Sequence, residues 1–129
     1  MTVYVDAAVH RLGRMIMCHM VSPDVEELHR MAAAIGVARR WFQDPRTVPS
    51  VSRPHYDVAK SKRALALRRG AVEIDRYQMV AISNHAWNIY WAADRDPLWP
   101  LRGHREGERV RLWLQEQTGL QFPAQAAQS

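Results

Sequence analysis

The stretch Met15-Ile16-Met17-Cys18-His19-Met20-Val21, followed at once by Ser22-Pro23-Asp24, decides how this chain is read. The run is short and mostly non-polar on both faces, which suits a strand with neighbours on either side. Ser22-Pro23-Asp24 then supplies a hydroxyl cap, a proline for the first turn and an acid near the positive end of a helix. Val25, Leu28, Met31, Ala32 and Ile35 recur at helical spacing, and Gly36 closes the helix. Upstream, Val3 and Val5 alternate with Tyr4 and Asp6, as a short strand requires. The eight residues from Ala7 to Arg14, Gly13 among them, are too few for a parallel crossover, so an antiparallel hairpin is expected. In that hairpin Asp6 falls at the loop end and His19 near the far end of the partner strand. At a strand's rise per residue, the two should stand roughly 13–17 Å apart.

Working outward, Val37 to Phe42 reads as a third strand, and Asp44 to Pro54, with three of the seven prolines, as a loop. His55-Tyr56-Asp57 leads into a helix from about Val58 to Arg69, with Asp57 as its cap and Gly70 as its stop. Ala71 to Ile74 reads as a strand. Asp75 can cap a helix running to about Ala92, and a last helix covers roughly Arg105 to Thr118. The expected fold is therefore α/β or α+β: a small mixed sheet of about four short strands with two helices, plus a two-helix C-terminal appendage. Residues 1–75 would form the core, 76–118 the appendage packed on it, and 119–129 a flexible tail.

Several short stretches occur together and in order: Val3-Tyr4-Val5-Asp6, Gly13-Arg14-Met15 with Cys18-His19-Met20, Glu27-Leu28-His29, Ile35-Gly36-Val37, Trp41-Phe42-Gln43, His55-Tyr56-Asp57, and Ser61-Lys62-Arg63 through Gly70-Ala71-Val72. In this respect residues 2–75 resemble the domain-of-unknown-function family four-zero-three-one, small proteins of bacteria, phages and prophages. The resemblance implies a phage- or prophage-like accessory protein and singles out Tyr4, Asp6, Arg14 and His29 among the matched positions. Relatives usually carry a second acid after the first; this chain has Ala7-Ala8 instead.

Charge points to a partner. The chain carries +5 overall, and residues 1–70 hold 12 Lys and Arg against 6 Asp and Glu. A basic half favours an anionic partner such as a nucleic acid or nucleotide. Arg39-Arg40-Trp41-Phe42-Gln43 interleaves cations with aromatics, as a nucleic-acid strand would need. Lys60, Lys62 and Arg63 at the start of a helix offer a phosphate site. A second reading is a nuclease or phosphate-substrate hydrolase, in which Asp57 orients His55 as a base and Tyr56 donates a proton. A third is an inhibitor of a host system, acting by protein contact through Trp87, Trp91, Trp99 and Trp113; the same region could make a homo-oligomer.

A divalent metal is the cofactor these side chains would suit, with His19, His55 and Asp57 as ligands. One cysteine, Cys18, excludes a multi-cysteine zinc site and an intramolecular disulfide framework. Inside an apolar run its thiol should be inert. There is no glycine-rich phosphate loop. No apolar run reaches the roughly 18 residues a membrane helix needs. The opening Met1-Thr2-Val3-Tyr4 lacks a basic segment before an apolar one, so a cytoplasmic protein of a bacterial cell is expected, with no membrane partner.

Overall fold

The computed structural model describes residues 2–124 and shows a mixed α+β fold. Six strands form one sheet: β1 (Tyr4–Val5), β2 (His10–Leu12), β3 (Met15–Val21), β4 (Phe42–Gln43), β5 (His55–Ala59) and β6 (Val72–Glu73). Four helices accompany them: α1 (Val25–Ala34), α2 (Lys60–Arg68), α3 (Arg76–Trp91) and α4 (Gly107–Thr118). The strand order is β4-β5-β3-β1-β6, with β2 also on β3. Only the β1–β6 pair is parallel.

β3 is the central strand, as its two-sided apolar character requires. Cys18 and Met20 point to one face, where Leu28 and Ala32 of α1 and Ala66 of α2 cover them together with Val5, Tyr56 and Val58. Val21 and Tyr4 point to the other face, under Met79, Ile82 and Ala86 of α3 and Val110 and Leu114 of α4. The result is three layers, a helix pair on each side of the sheet. Helix starts follow local chemistry. Asp24 accepts from the backbone N–H groups of Glu26 and Glu27. Asp75 and Gln78 form a reciprocal capping box on α3. Gly36, with φ of +82°, lets the Val37 N–H reach back to the Ala32 carbonyl and end α1.

The structure corrects three sequence expectations. The hairpin exists, but its turn is the tight pair Gly13-Arg14, with φ of +61° at Gly13 as the primed hairpin turns require. The chain pairs with β3 again as β2, so Val5 faces Met20 and Asp6 comes next to His19 rather than lying at the loop end. Second, His55-Tyr56-Asp57 is strand, not helix entry. Tyr56 and Val58 are buried while His55, Asp57 and Ala59 are half-buried, an alternation that fits β5 against β3. α2 therefore starts at Lys60, with no side-chain cap, and Asp57 caps nothing. Third, Arg39–Trp41 is a 3-10 turn, leaving only Phe42–Gln43 as strand.

Of the tail expected from residue 119, Phe122 packs on the α3/α4 side and the Pro123 carbonyl accepts from Arg102. Residues 125–129 lie outside the described residues. Among the C-terminal tryptophans, Trp113 packs edge-on against Tyr4, with ring centres 5.8 Å apart. Trp87 lies under the Arg95 guanidinium, and Trp91 and Trp99 are exposed. No helix among the described residues is long and apolar enough to cross a membrane.

Candidate metal centre

The face of the sheet that carries α3 and α4 also carries a patch of histidines. Alternation along β5 puts His55 and Asp57 on one side, and pairing of His19 with Asp57 in the ladder sets β3 beside them. β2 adds His10, whose ring stacks on His19 with centres 4.6 Å apart and planes 20° from parallel. Asp57 lies at the centre. One of its carboxylate oxygens is 3.4 Å from His55 Nε2, 3.9 Å from His19 Nε2 and 4.0 Å from His10 Nε2.

Hydrogen bonds at the other ring nitrogen explain why the Nε2 atoms of His19 and His55 face inward. His19 Nδ1 is 2.7 Å from Asp6 Oδ2, and the His19 backbone N–H donates to Asp6 Oδ1 at 2.7 Å. Asp6 is itself held in place, its carbonyl accepting from Arg63 Nε at 2.7 Å. His55 Nδ1 donates to the Arg53 carbonyl at 2.8 Å, because a carbonyl can only accept. A carboxylate or carbonyl behind an imidazole, with the far nitrogen turned to a common point, is how histidines that ligate metals are oriented. His10 Nε2 is buried and has no hydrogen-bond partner among the described residues.

Ligand atoms of His10, His19 and Asp57 all lie within 4.8 Å of one another. Ligands about 2 Å from a tetrahedral zinc ion stand about 3.3 Å apart. The His10 and His19 Nε2 atoms, 4.0 and 3.9 Å from the Asp57 oxygen, form an expanded version of such a shell. Electrostatics set the charge of the cluster. The hydrogen bond to Asp6 raises the pKa of His19 above the ordinary imidazole value, even though burial opposes it. The hydrogen bond from His55, reinforced by the charges of His19 and His10, holds the Asp57 carboxyl below its usual range against the effect of burial. Asp57 therefore stays anionic, as a ligand must.

A cavity of about 280 Å³ adjoins the cluster, lined by Asp6, His19, Arg53, His55 and, from α3, Arg76 and Ser83 among others. α3 thus walls the cavity beside the side chains that residues 1–70 supply.

The remaining sequence candidates lie elsewhere. Tyr56 faces the opposite side of the sheet, where its hydroxyl and His29 Nδ1 share a 2.8 Å hydrogen bond beside Phe42. Burial raises the Tyr56 pKa and lowers that of His29. Tyr56 is therefore not positioned to serve His55 and Asp57 as a proton donor. Tyr4 is buried and donates to Gln117 Oε1. Arg63, expected to hold phosphate, is occupied by the Asp6 carbonyl and Glu73. Arg14 is exposed in the hairpin turn, and Lys60 is exposed at the start of α2, with Lys62 half-buried one turn on. Arg39, Arg40 and Trp41 form an edge of their own next to Gln43, which faces His55 across the β4–β5 ladder. Cys18 is fully buried, and desolvation, with the charge of Asp6 adding to it, pushes its thiol up to about 12.

His10 is the ligand that sequence reasoning missed. A turn at Gly13-Arg14 sets His10 opposite Met17, on the strand face shared by Met17 and His19. Moving the turn to the one glycine in the segment would have found it.

Fold and site together define a small α+β protein with a histidine–carboxylate cluster on the helix-covered face of its sheet. The chain belongs to the family described as protein of unknown function (DUF4031), whose profile matches residues 3–86. That span includes Asp6, His10, His19, Arg53, His55 and Asp57, and extends into α3. No curated protein and no solved structure matches the chain.

Proposed function

We propose that this protein is a metal-dependent hydrolase, with His10, His19 and Asp57 as ligands of a divalent cation and His55 as a fourth ligand or a base beside it. One observation carries the reading: three imidazole Nε2 atoms converge on a single carboxylate oxygen, and one of them, on His10, is buried without a partner. A buried ring nitrogen without a partner is costly, and a cation between His10, His19 and Asp57, whose ligand atoms lie within 4.8 Å of one another, would satisfy it. A nitrogen-rich, thiolate-free donor set suits zinc or manganese. Held there, such an ion would supply a water acidic enough to act near neutral pH and would polarise the phosphoryl or carbonyl oxygen of the group that the water attacks. Asp6 and the Arg53 carbonyl fix the rings; Asp57 contributes charge. The test is elemental analysis of protein purified without chelator, followed by zinc and manganese titration and a phosphodiester turnover assay. One ion per chain, and turnover lost with chelator and restored with metal, is expected. Failure to take up any divalent metal at micromolar concentration would sink the reading.

A second reading, binding of a nucleic-acid strand by the basic half, rests on Trp41, which is 57% exposed with the Arg40 guanidinium 5.3 Å from its ring. Oligonucleotide affinity should then fall steeply with salt and drop in Trp41→Ala. An affinity indifferent to both would remove it.

A further inference from the structure

We propose that the cavity beside the histidine cluster is an oxyanion site, in which Arg53 clamps the phosphoryl group of a phosphate-ester substrate. This deepens the hydrolase reading by naming the substrate class, and rests on it for the chemistry. Arg53 is the cation at the centre of this site. Its side chain lines the cavity that His19 and His55 also line. Its Nε donates to Asn84 Oδ1 at 2.6 Å. Asn84 is buried, and its own amide donates to the Pro97 carbonyl, so its oxygen is held towards Arg53. No carboxylate lies within ion-pair distance of Arg53 among the described residues. Asp6, the acid in the same cavity, is committed to His19.

A half-buried guanidinium tethered by a neutral amide is an unbalanced charge. Partly desolvated cations are expensive without a counterion, and arginine's planar fork matches the oxygens of phosphate. Asn84 engages Nε and leaves the two Nη groups for such a ligand. Arg76, also on the cavity wall, increases the positive potential. The same residue ties clamp to centre, since the Arg53 carbonyl sets the ring of His55 two positions along. Size limits the occupant. At about 280 Å³ the cavity falls just below the pockets of about 300 Å³ and upward that enclose whole small molecules. A phosphoryl group and a small attached moiety fit, and the rest of a larger substrate would lie outside.

The experiment measures inorganic phosphate binding to the full chain by calorimetry, with and without zinc, in wild type, Arg53→Lys and Asn84→Asp. Arg53→Lys keeps the charge but loses the fork, and should weaken phosphate by about tenfold, the worth of a charge-assisted hydrogen bond. Asn84→Asp leaves Arg53 in place and supplies an internal carboxylate, so it should abolish phosphate binding by occupying the clamp. Zinc affinity should be unchanged in both. Phosphate affinity that is the same in all three proteins overturns the inference. Wild-type protein that binds phosphate through Arg53 but takes no zinc overturns the metal reading and leaves the anion site standing.

Discussion

Replacing His19 with alanine is expected to lower zinc affinity by about a hundredfold or more, while Asp6→Asn should lower it by about ten- to a hundredfold. On the metal reading the two residues would act at different distances from the ion. His19 offers Nε2 directly, 3.9 Å from the Asp57 oxygen. Asp6 touches the far nitrogen at 2.7 Å and makes the ring a better donor. The Asp6 carboxylate also accepts from the His19 backbone, so the asparagine variant keeps one contact and loses charge. A competition titration with a chromophoric chelator ranks the variants. Thermal melts add a second reading, because a ligand that binds only the folded state raises its melting temperature. Zinc should raise the melting temperature of the wild type and leave that of His19→Ala nearly unmoved. Equal zinc affinities in wild type and His19→Ala would remove His19 from the shell.

Much of this was legible in the sequence, and the failures share one cause. The central strand Met15–Val21 and the α3 start at Asp75 lie where local pattern put them, whereas α1 starts two residues later than its hydroxyl-cap reading, with Asp24 rather than Ser22 as the cap and Pro23 outside the helix. His55–Ala59 also showed its alternation, but the polar trio ahead of a lysine-rich helix imitates a cap, and pairing with β3 prevailed over that local signal. The site itself depends on register. Placing the turn at Gly13-Arg14 changes Asp6 from the residue farthest from His19 to its hydrogen-bond partner, and brings His10 into the cluster. No local pattern connects Arg53 with Asn84, 31 residues away on α3. That contact arises only when the helix packs on the sheet.

That packing is why Leu114→Ala should have a large effect despite lying outside the stretch matched by the family. Leu114 is fully buried on α4, in the cluster that joins α3, α4, Tyr4 and Val21. Truncating a buried leucine removes its transfer free energy and leaves a cavity, a cost of about 2–5 kcal/mol. Against a total stability of about 5–15 kcal/mol this is a major fraction, and the melting temperature should fall by roughly 10 °C. Leu112 is the control. It sits two residues away on the same helix but is 49% exposed, and its alanine variant should stay within about 0.5 kcal/mol of wild type. Helix propensity is the same for the two substitutions, so only burial separates them. Below its melting transition, Leu114→Ala should bind zinc like the wild type, because α4 supplies no ligand and acts by pressing α3, with Asn84 and Ser83, onto the sheet. Equal melting temperatures for the two variants would mean that α4 is not seated there.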